Sequence, residues 1–226
     1  MDEQQAGEPQ YRDAIALIRG LGPQRLGLMS AWAYYDDPKR MVFTLARYKF
    51  VAKMIEGAES ALEVGCADGF ASRIVAQSVR RLKAVDFDAE FVASAREIVS
   101  PRWPIEFDRH DMLAGPVAGS FDAIYSLDVL EHIRVEDEER FLANMIAPLT
   151  AHGTVVIGMP SLQSQAYASA HSKVGHVNCK DQRDFKRVMQ RWFHNVFMFS
   201  MNDEVVHTGY HAMAHYNIAL ACGKKA

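Results

Sequence analysis

From residue 61 onward, short apolar runs alternate with stretches whose apolar residues recur at helical spacing. The runs at 61–65, 82–86, 104–108, 121–127 and 153–159 are five to seven residues long and end at polar or glycine-containing breaks, as strands do. The stretches 69–79, 89–99 and 137–149 gather their apolar residues on one side of a 3.6-residue period and predict helices. Strands separated by helices in this way predict an α/β chain with a mostly parallel sheet covered on both faces. Past Pro160 a loop of about 20 residues leads to a helix near 180–192, a strand at 195–200, an irregular stretch and a final strand at 213–222, which makes seven strands in all.

The segment before residue 58 has a different pattern. Its first ten residues are polar, and Tyr11 to Leu21 carries a short helical period that Gly22-Pro23 breaks. Asp36-Asp37-Pro38 restarts it, with Asp37 expected as N-cap and Pro38 at the first helical position. The long helix that follows has a wide apolar face, including Met41, Leu45, Tyr48, Val51 and Ile55, and Gly57 stops it. Residues 1–57 therefore read as a helical extension and 58–226 as one compact unit, since no repeat or linker divides the chain.

Composition narrows the function classes. With 226 residues, 49% apolar and 23% charged, the chain can bury a substantial core in a single domain. A formal net charge of -3 with scattered lysines and arginines leaves no basic footprint for a phosphate backbone, so nucleic acid is not expected as a partner. No apolar run approaches membrane-spanning length and the start has no leader-like pattern, so a cytoplasmic protein without membrane attachment is expected, as monomer or homodimer. Cys66, Cys179 and Cys222 are too scattered for a zinc or redox pair and read as reduced thiols.

The strongest chemical signal is the turn after the first strand, Glu63-Val64-Gly65-Cys66-Ala67-Asp68-Gly69. Small residues at alternate positions let backbone amides approach a ligand, and the following helix start favours negative charge. Dinucleotide folds want Gly-x-Gly-x-x-Gly, whereas this loop has Glu-x-Gly-x-Ala-x-Gly, which disfavours a nicotinamide-dependent oxidoreductase. The second strand ends in Asp86, 21 residues past Gly65, followed by Phe87; Asp88 reads as the N-cap of the next helix. The third strand delivers Asp111 and Met112, with Asp111 equally readable as a turn residue. The fourth strand ends in Leu127-Asp128-Val129-Leu130-Glu131-His132.

These landmarks, in this order, resemble the motifs of class I S-adenosylmethionine-dependent methyltransferases of small molecules over roughly residues 58–160. The resemblance implies a Rossmann-like, doubly wound sheet with an antiparallel last strand, covered by an N-terminal helical lid. It implies S-adenosylmethionine as cofactor, with Glu63 near the methionine end and Gly65, Cys66, Ala67 and Gly69 along it. Asp86 is then placed to accept from the ribose hydroxyls, and Asp111 and Met112 to meet the adenine, with Phe87, Leu127 and Asp128 lining the site. Ala67 stands where the family has glycine and is a modest departure.

Ligands of open α/β sheets bind beyond the carboxyl ends of the strands, which selects the loops after strands four, five and six. For a hydroxyl acceptor a base must remove a proton, and histidine suits that task. The candidates are His176 first, then His132 or Glu131. Tyr34, Tyr35, Arg47, His171, Asn178, Asn202 and His207 are the expected acceptor contacts. His207, His211 and His215 recur every four residues, but in a strand they lie too far apart to share an ion, and no metal ligand is assigned. The polar acceptor loops predict methyl transfer to O or N of a polar small molecule. Resemblance in the stretch ending in Gly175-His176 and in Met201-Asn202-Asp203-Glu204 points to a sugar or sugar-linked metabolite. The alternatives are an N-methyltransferase of amines or amino acids, and a non-catalytic relative that retains the cofactor fold.

Overall fold

Apolar runs with no hairpin turn between them must cross over and return to the same edge, and the chain does this repeatedly. A computed structural model describes residues 8–225; residues 1–7 of the expected extension and residue 226 lie outside them. Helices α1 (Arg12–Leu21), α2 (Leu28–Asp36) and α3 (Lys39–Met54) precede β1 (Ala61–Val64). Then come α4 (Ser72–Ala76), β2 (Leu82–Asp86), α5 (Ala89–Glu97), β3 (Glu106–Arg109), β4 (Phe121–Leu127), α6 (Glu138–Ile146) and β5 (Leu149–Pro160). The chain continues through α7 (Ala170–Gly175), α8 (Gln182–Gln190), β6 (Phe193–Asn202), β7 (Val205–His207) and β8 (Tyr216–Lys224).

The strands form one sheet of order β3-β2-β1-β4-β5-β8-β6-β7. The first five are parallel, and β8 runs antiparallel to both β5 and β6. This is the expected doubly wound α/β sheet with an antiparallel last strand, with one correction: among the described residues there are eight strands, because Asn202 to Val205 close a tight hairpin and β7 pairs along β6. A β8 start at 213 is also corrected, since His211–Met213 forms a 3₁₀ turn.

Alternation in β1 sends Leu62 and Val64 to one face, against Phe141, Leu142, Phe185 and Phe193 from the α6 and α8 side. It sends Ala61 and Glu63 to the other face, where Tyr48 and Val51 of α3, Val75 of α4 and Tyr125 of β4 pack. A carboxylate thus enters an apolar layer, and the layer supplies it with tyrosine hydroxyls.

Asp88 caps α5 as expected, accepting from the amides of Glu90 at 2.8 Å and Phe91 at 3.4 Å. At α3 the start lies one residue later than expected: Pro38, with helical dihedrals, is the N-cap of a helix that begins at Lys39, and the extended Asp37 accepts from Lys39 N at 3.3 Å. Helix α2 is not expected from periodicity, since it has no buried face. Its first turn is held from outside, where Asp68 accepts from Ser30 N at 2.7 Å and from Ser30 Oγ at 3.1 Å. No helix among the described residues is long and apolar enough to cross a membrane.

Candidate active site

The strand order reverses between β1 and β4, so the loops that leave these two strands diverge and open a crevice beyond their carboxyl ends. After β1, Gly65, Ala67 and Gly69 all have left-handed backbone, with φ of 81, 45 and 67°. Alternating left-handed residues turn the loop sharply, and at Gly65 the approach is close: a Cβ there would lie 2.1 Å from Val129 Cγ2 in the loop after β4. Gly69 is constrained likewise by the Phe107 ring, 2.5 Å from a Cβ. Ala67 takes the same conformation without glycine's freedom and stores strain at this loop. Asp128 does so at the end of β4, with φ 58°.

Asp86 holds the far side of the crevice. One carboxylate oxygen accepts from Ala67 N at 2.9 Å and the other from Asp88 N at 3.0 Å. Burial pushes its carboxyl up, against the pull of those amides. Each oxygen keeps lone-pair capacity for another donor. Phe87 follows and is 69% exposed, while Met112 is buried. Asp111 is exposed and accepts from Leu113 N at 2.8 Å, so its side chain shapes its own turn. Cys66 and Leu127 are buried.

Glu63 sits under the loop rather than at its surface. One oxygen accepts from Tyr48 Oη at 2.7 Å and the other from Tyr125 Oη at 2.8 Å, and the residue is 1% exposed. Burial raises its carboxyl to about 7 despite the two hydroxyls. Beside it, Arg47 of α3 places Nη1 2.9 and 2.8 Å from the two oxygens of Asp128 and lays its guanidinium 3.9 Å above the Tyr216 ring. Three carboxylates of the crevice are therefore tied to the N-terminal helices: Glu63 to Tyr48, Asp128 to Arg47, and Asp68 to Ser30. Asp68 and Tyr125 were not singled out by sequence; a carboxylate amid the small residues of the loop was the available signal for Asp68.

Glu131, His132 and His176 come together. Their ligand-type atoms all lie within 4.8 Å of one another, and the two imidazoles meet edge to face with centroids 5.2 Å apart. Glu131 and His132 occupy the 3₁₀ turn Leu130–His132 just past β4, while His176 closes α7. The two segments are stitched by the amides of Val177 and Asn178, which donate to the Glu131 carbonyl at 2.8 and 3.0 Å. Burial lowers the His176 imidazole, with His132 adding to the effect, and favours its neutral form. Burial raises the Glu131 carboxyl well above its ordinary range, with Asp128 adding to the effect.

The other expected acceptor contacts are dispersed. Asn178 is a correction: its side chain is buried and donates to Glu138 at 2.8 Å while Lys180 donates to its oxygen at 2.8 Å, an internal network rather than an open contact. Arg47 is likewise committed to Asp128. Asn202 and His207 bond each other at 2.8 Å within the β6–β7 hairpin. Tyr34 and Tyr35 stand 58% and 82% exposed on α2, and His171 is exposed on α7. The histidines spaced four apart go to separate partners, His207 to Asn202, His211 to Asp181 and His215 to Asp203.

Comparison with known proteins agrees with this geometry. Residues 61–153 match the family model described as a methyltransferase domain. A ubiquinone biosynthesis O-methyltransferase of Xanthomonas axonopodis pv. citri is 31% identical over 113 residues, 47% of this chain and 47% of the relative. A probable S-adenosylmethionine-dependent methyltransferase of Mycobacterium tuberculosis strain H37Rv is 28% identical over 106 residues, 46% of this chain and 36% of its own length. The chain thus matches less than half the length of these relatives. Among solved structures, the N-methyltransferase NodS of Bradyrhizobium japonicum with S-adenosylhomocysteine superposes with a TM-score of 0.58 at 19% identity, covering 86% of this chain and 92% of that one. The DhpI complex with S-adenosylhomocysteine gives 0.63 at 14% identity, covering 87% and 92%. Over residues 61–153 the chain is thus similar to S-adenosylmethionine-dependent methyltransferases, and its fold is the Rossmann-like one of these solved methyltransferase structures.

Proposed function

We propose that this chain transfers the methyl group of S-adenosylmethionine to an oxygen of a polar small molecule, with a sugar or sugar-linked metabolite as the preferred class. The observation that carries the reading is the Glu131–His132–His176 cluster at the mouth of the switch-point crevice. The cofactor brings its own leaving group, so the chain has to hold it, align the acceptor and take up a proton. Asp86 is assigned to the ribose hydroxyls and Phe87 and Met112 to the adenine flanks. The turn Gly65-Cys66-Ala67-Asp68-Gly69 is assigned to the methionine end, braced from below by Glu63, and Leu127 and Asp128 to the wall nearest the methyl. Residues 1–57 act as the lid, since α3 reaches both Glu63 and Asp128.

An oxygen acceptor is favoured over an amine because Asp128, the carboxylate at the end of β4 that would greet a cation, is already engaged by Arg47. The relative named an O-methyltransferase is in keeping with this choice.

A methyl-release screen against nucleotide sugars, phenols and amines, run beside calorimetry with S-adenosylmethionine, tests the proposal. Product from a hydroxylated acceptor is the expected result. His176→Ala is expected to cut kcat by about 100-fold or more while cofactor affinity stays within a factor of about two. Wild-type turnover in that variant removes His176 from the chemistry, and cofactor binding with no product across the panel points to a non-catalytic relative.

A further inference from the structure

The same cluster has the make-up of a metal site, although the sequence pattern led to none. We propose that Glu131, His132 and His176 bind a divalent first-row transition ion through one carboxylate oxygen and two imidazole Nε2 atoms.

The carboxylate comes first. Glu131 is 1% exposed, and neither of its side-chain oxygens has a hydrogen-bond partner among the described residues. A buried carboxylate without donors is costly, and groups of this kind are held by a proton, a countercharge or a metal. The nearest fixed cation, Arg47, already spends Nη1 on Asp128. What faces Glu131 instead is imidazole: His132 Nε2 lies 4.0 Å from Oε1.

The imidazoles are set in the tautomer that a metal needs. His132 Nδ1 is 2.9 Å from the Gly175 carbonyl, and His176 Nδ1 is 2.9 Å from Gln165 Oε1. The Gln165 amide is oriented by its own Nε2, which donates to the Ser161 carbonyl at 3.3 Å. Carbonyl oxygens only accept, so both Nδ1 atoms carry hydrogen and both Nε2 atoms offer a lone pair. A ligating histidine characteristically donates its other ring N–H to a carbonyl in this way.

The spacing needs little adjustment. Ligands about 2.1 Å from an ion at tetrahedral angles stand roughly 3.4 Å apart, and one ligand-type atom from each of the three residues lies within 4.8 Å of the others. Small side-chain rotations would close that gap. The backbone is held in register by the bonds from Val177 and Asn178 to the Glu131 carbonyl. Gly175 allows the His132 ring to lie close by, since a Cβ there would be 3.2 Å from Nδ1.

Two imidazoles and one carboxylate suit zinc, manganese, iron or cobalt better than magnesium or calcium, and three protein ligands leave positions open. Resting on the methyl-transfer reading, those positions would take the acceptor hydroxyl. The bound hydroxyl would release its proton to solvent, and its oxygen would form the C–O bond as the C–S bond breaks. The sulfonium charge would be lost as S-adenosylhomocysteine departs.

The test uses the full chain, stripped with chelator and titrated calorimetrically with Mn²⁺, Zn²⁺ and Co²⁺, with the Co²⁺ absorption spectrum as a second readout. One ion per chain at micromolar affinity or tighter is expected, together with a rise in thermal midpoint. Glu131→Gln and His176→Ala should weaken binding by at least about 100-fold, while the exposed His152→Ala leaves it unchanged. Binding of S-adenosylhomocysteine by each variant checks that it is folded. No ion taken up at millimolar metal overturns the proposal, as does undiminished binding in both ligand variants. Ion binding without any methyl product keeps the metal site and defeats the methyl-transfer reading. Methyl transfer that survives chelation, with no ion bound, does the reverse.

Discussion

Glu63→Gln isolates the cost of burying an acid beneath the loop after β1. Folding moves this carboxyl from an ordinary 4.5 to about 7, because both oxygens leave water for an apolar layer and the hydroxyls beside them, those of Ser72, Tyr48 and Tyr125, offset that loss only in part. A group whose folded value is raised binds its proton more tightly in the native state, so stability is greatest below the unfolded value and falls as pH climbs through the interval. The native chain should therefore lose stability from about pH 4.5 to about 7 and then level off, with about 3 kcal/mol at stake. Glutamine preserves a carbonyl that accepts from one tyrosine and an amide that donates to the other, and it does not titrate. Urea unfolding of both proteins at half-unit steps from pH 4.5 to 8 gives the difference curve, in which other titrations cancel. The variant should gain on the native chain by about 3 kcal/mol across that range. A flat difference would refute the burial argument, and a difference of opposite sign would mean that the tyrosines stabilise the anion more than burial penalises it.

Three further outcomes follow from the crevice. Asp86→Ala should weaken S-adenosylmethionine binding by about 1–3 kcal/mol, roughly 5- to 150-fold, in calorimetry, because charge-assisted bonds to the ribose are lost and Ala67 N is released; unchanged affinity would refute the ribose assignment. Gly65→Ala should cost at least about 2 kcal/mol in urea unfolding, since it combines a left-handed φ of 81° with a Cβ 2.1 Å from Val129 Cγ2. Stability within about 0.5 kcal/mol of the parent would contradict that geometry. Arg47→Met should destabilise by about 1–3 kcal/mol, below the figure for a fully buried pair because the Asp128 side chain is 37% exposed. It should also loosen α3, read as faster amide exchange across that helix.

The ties between the crevice and the N-terminal helices bear on how a cofactor would enter. Glu63, Asp68 and Asp128 flank the loops after β1 and β4, and each is bonded to α2 or α3. Any movement of those helices therefore exchanges specific hydrogen bonds, and substitutions at Ser30, Arg47 or Tyr48 report on it without changing a residue of the loops after β1 and β4.

The sequence by itself determined the order and kind of the main elements, because strand and helix periods are local properties of consecutive residues. It also marked Gly65, Ala67, Gly69 and Asp86, whose spacing is set by one strand-helix-strand unit. It placed Glu131, His132 and His176 near one mouth by the rule that ligands bind beyond strand ends. Tertiary structure decided what no local pattern carries. Helix α2 depends on a carboxylate 38 residues away, and β7 on a hairpin that only its partner strand makes regular. Asn178 was drawn into a network with Glu138, and Arg47 onto Asp128, because a buried donor or charge takes whatever partner the packing brings within reach. The gathering of His132 and His176 beside a Glu131 carboxylate without a hydrogen-bond partner among the described residues belongs to the same class of fact. It depends on which carbonyl each Nδ1 reaches, and that is fixed only when distant segments of the chain pack together.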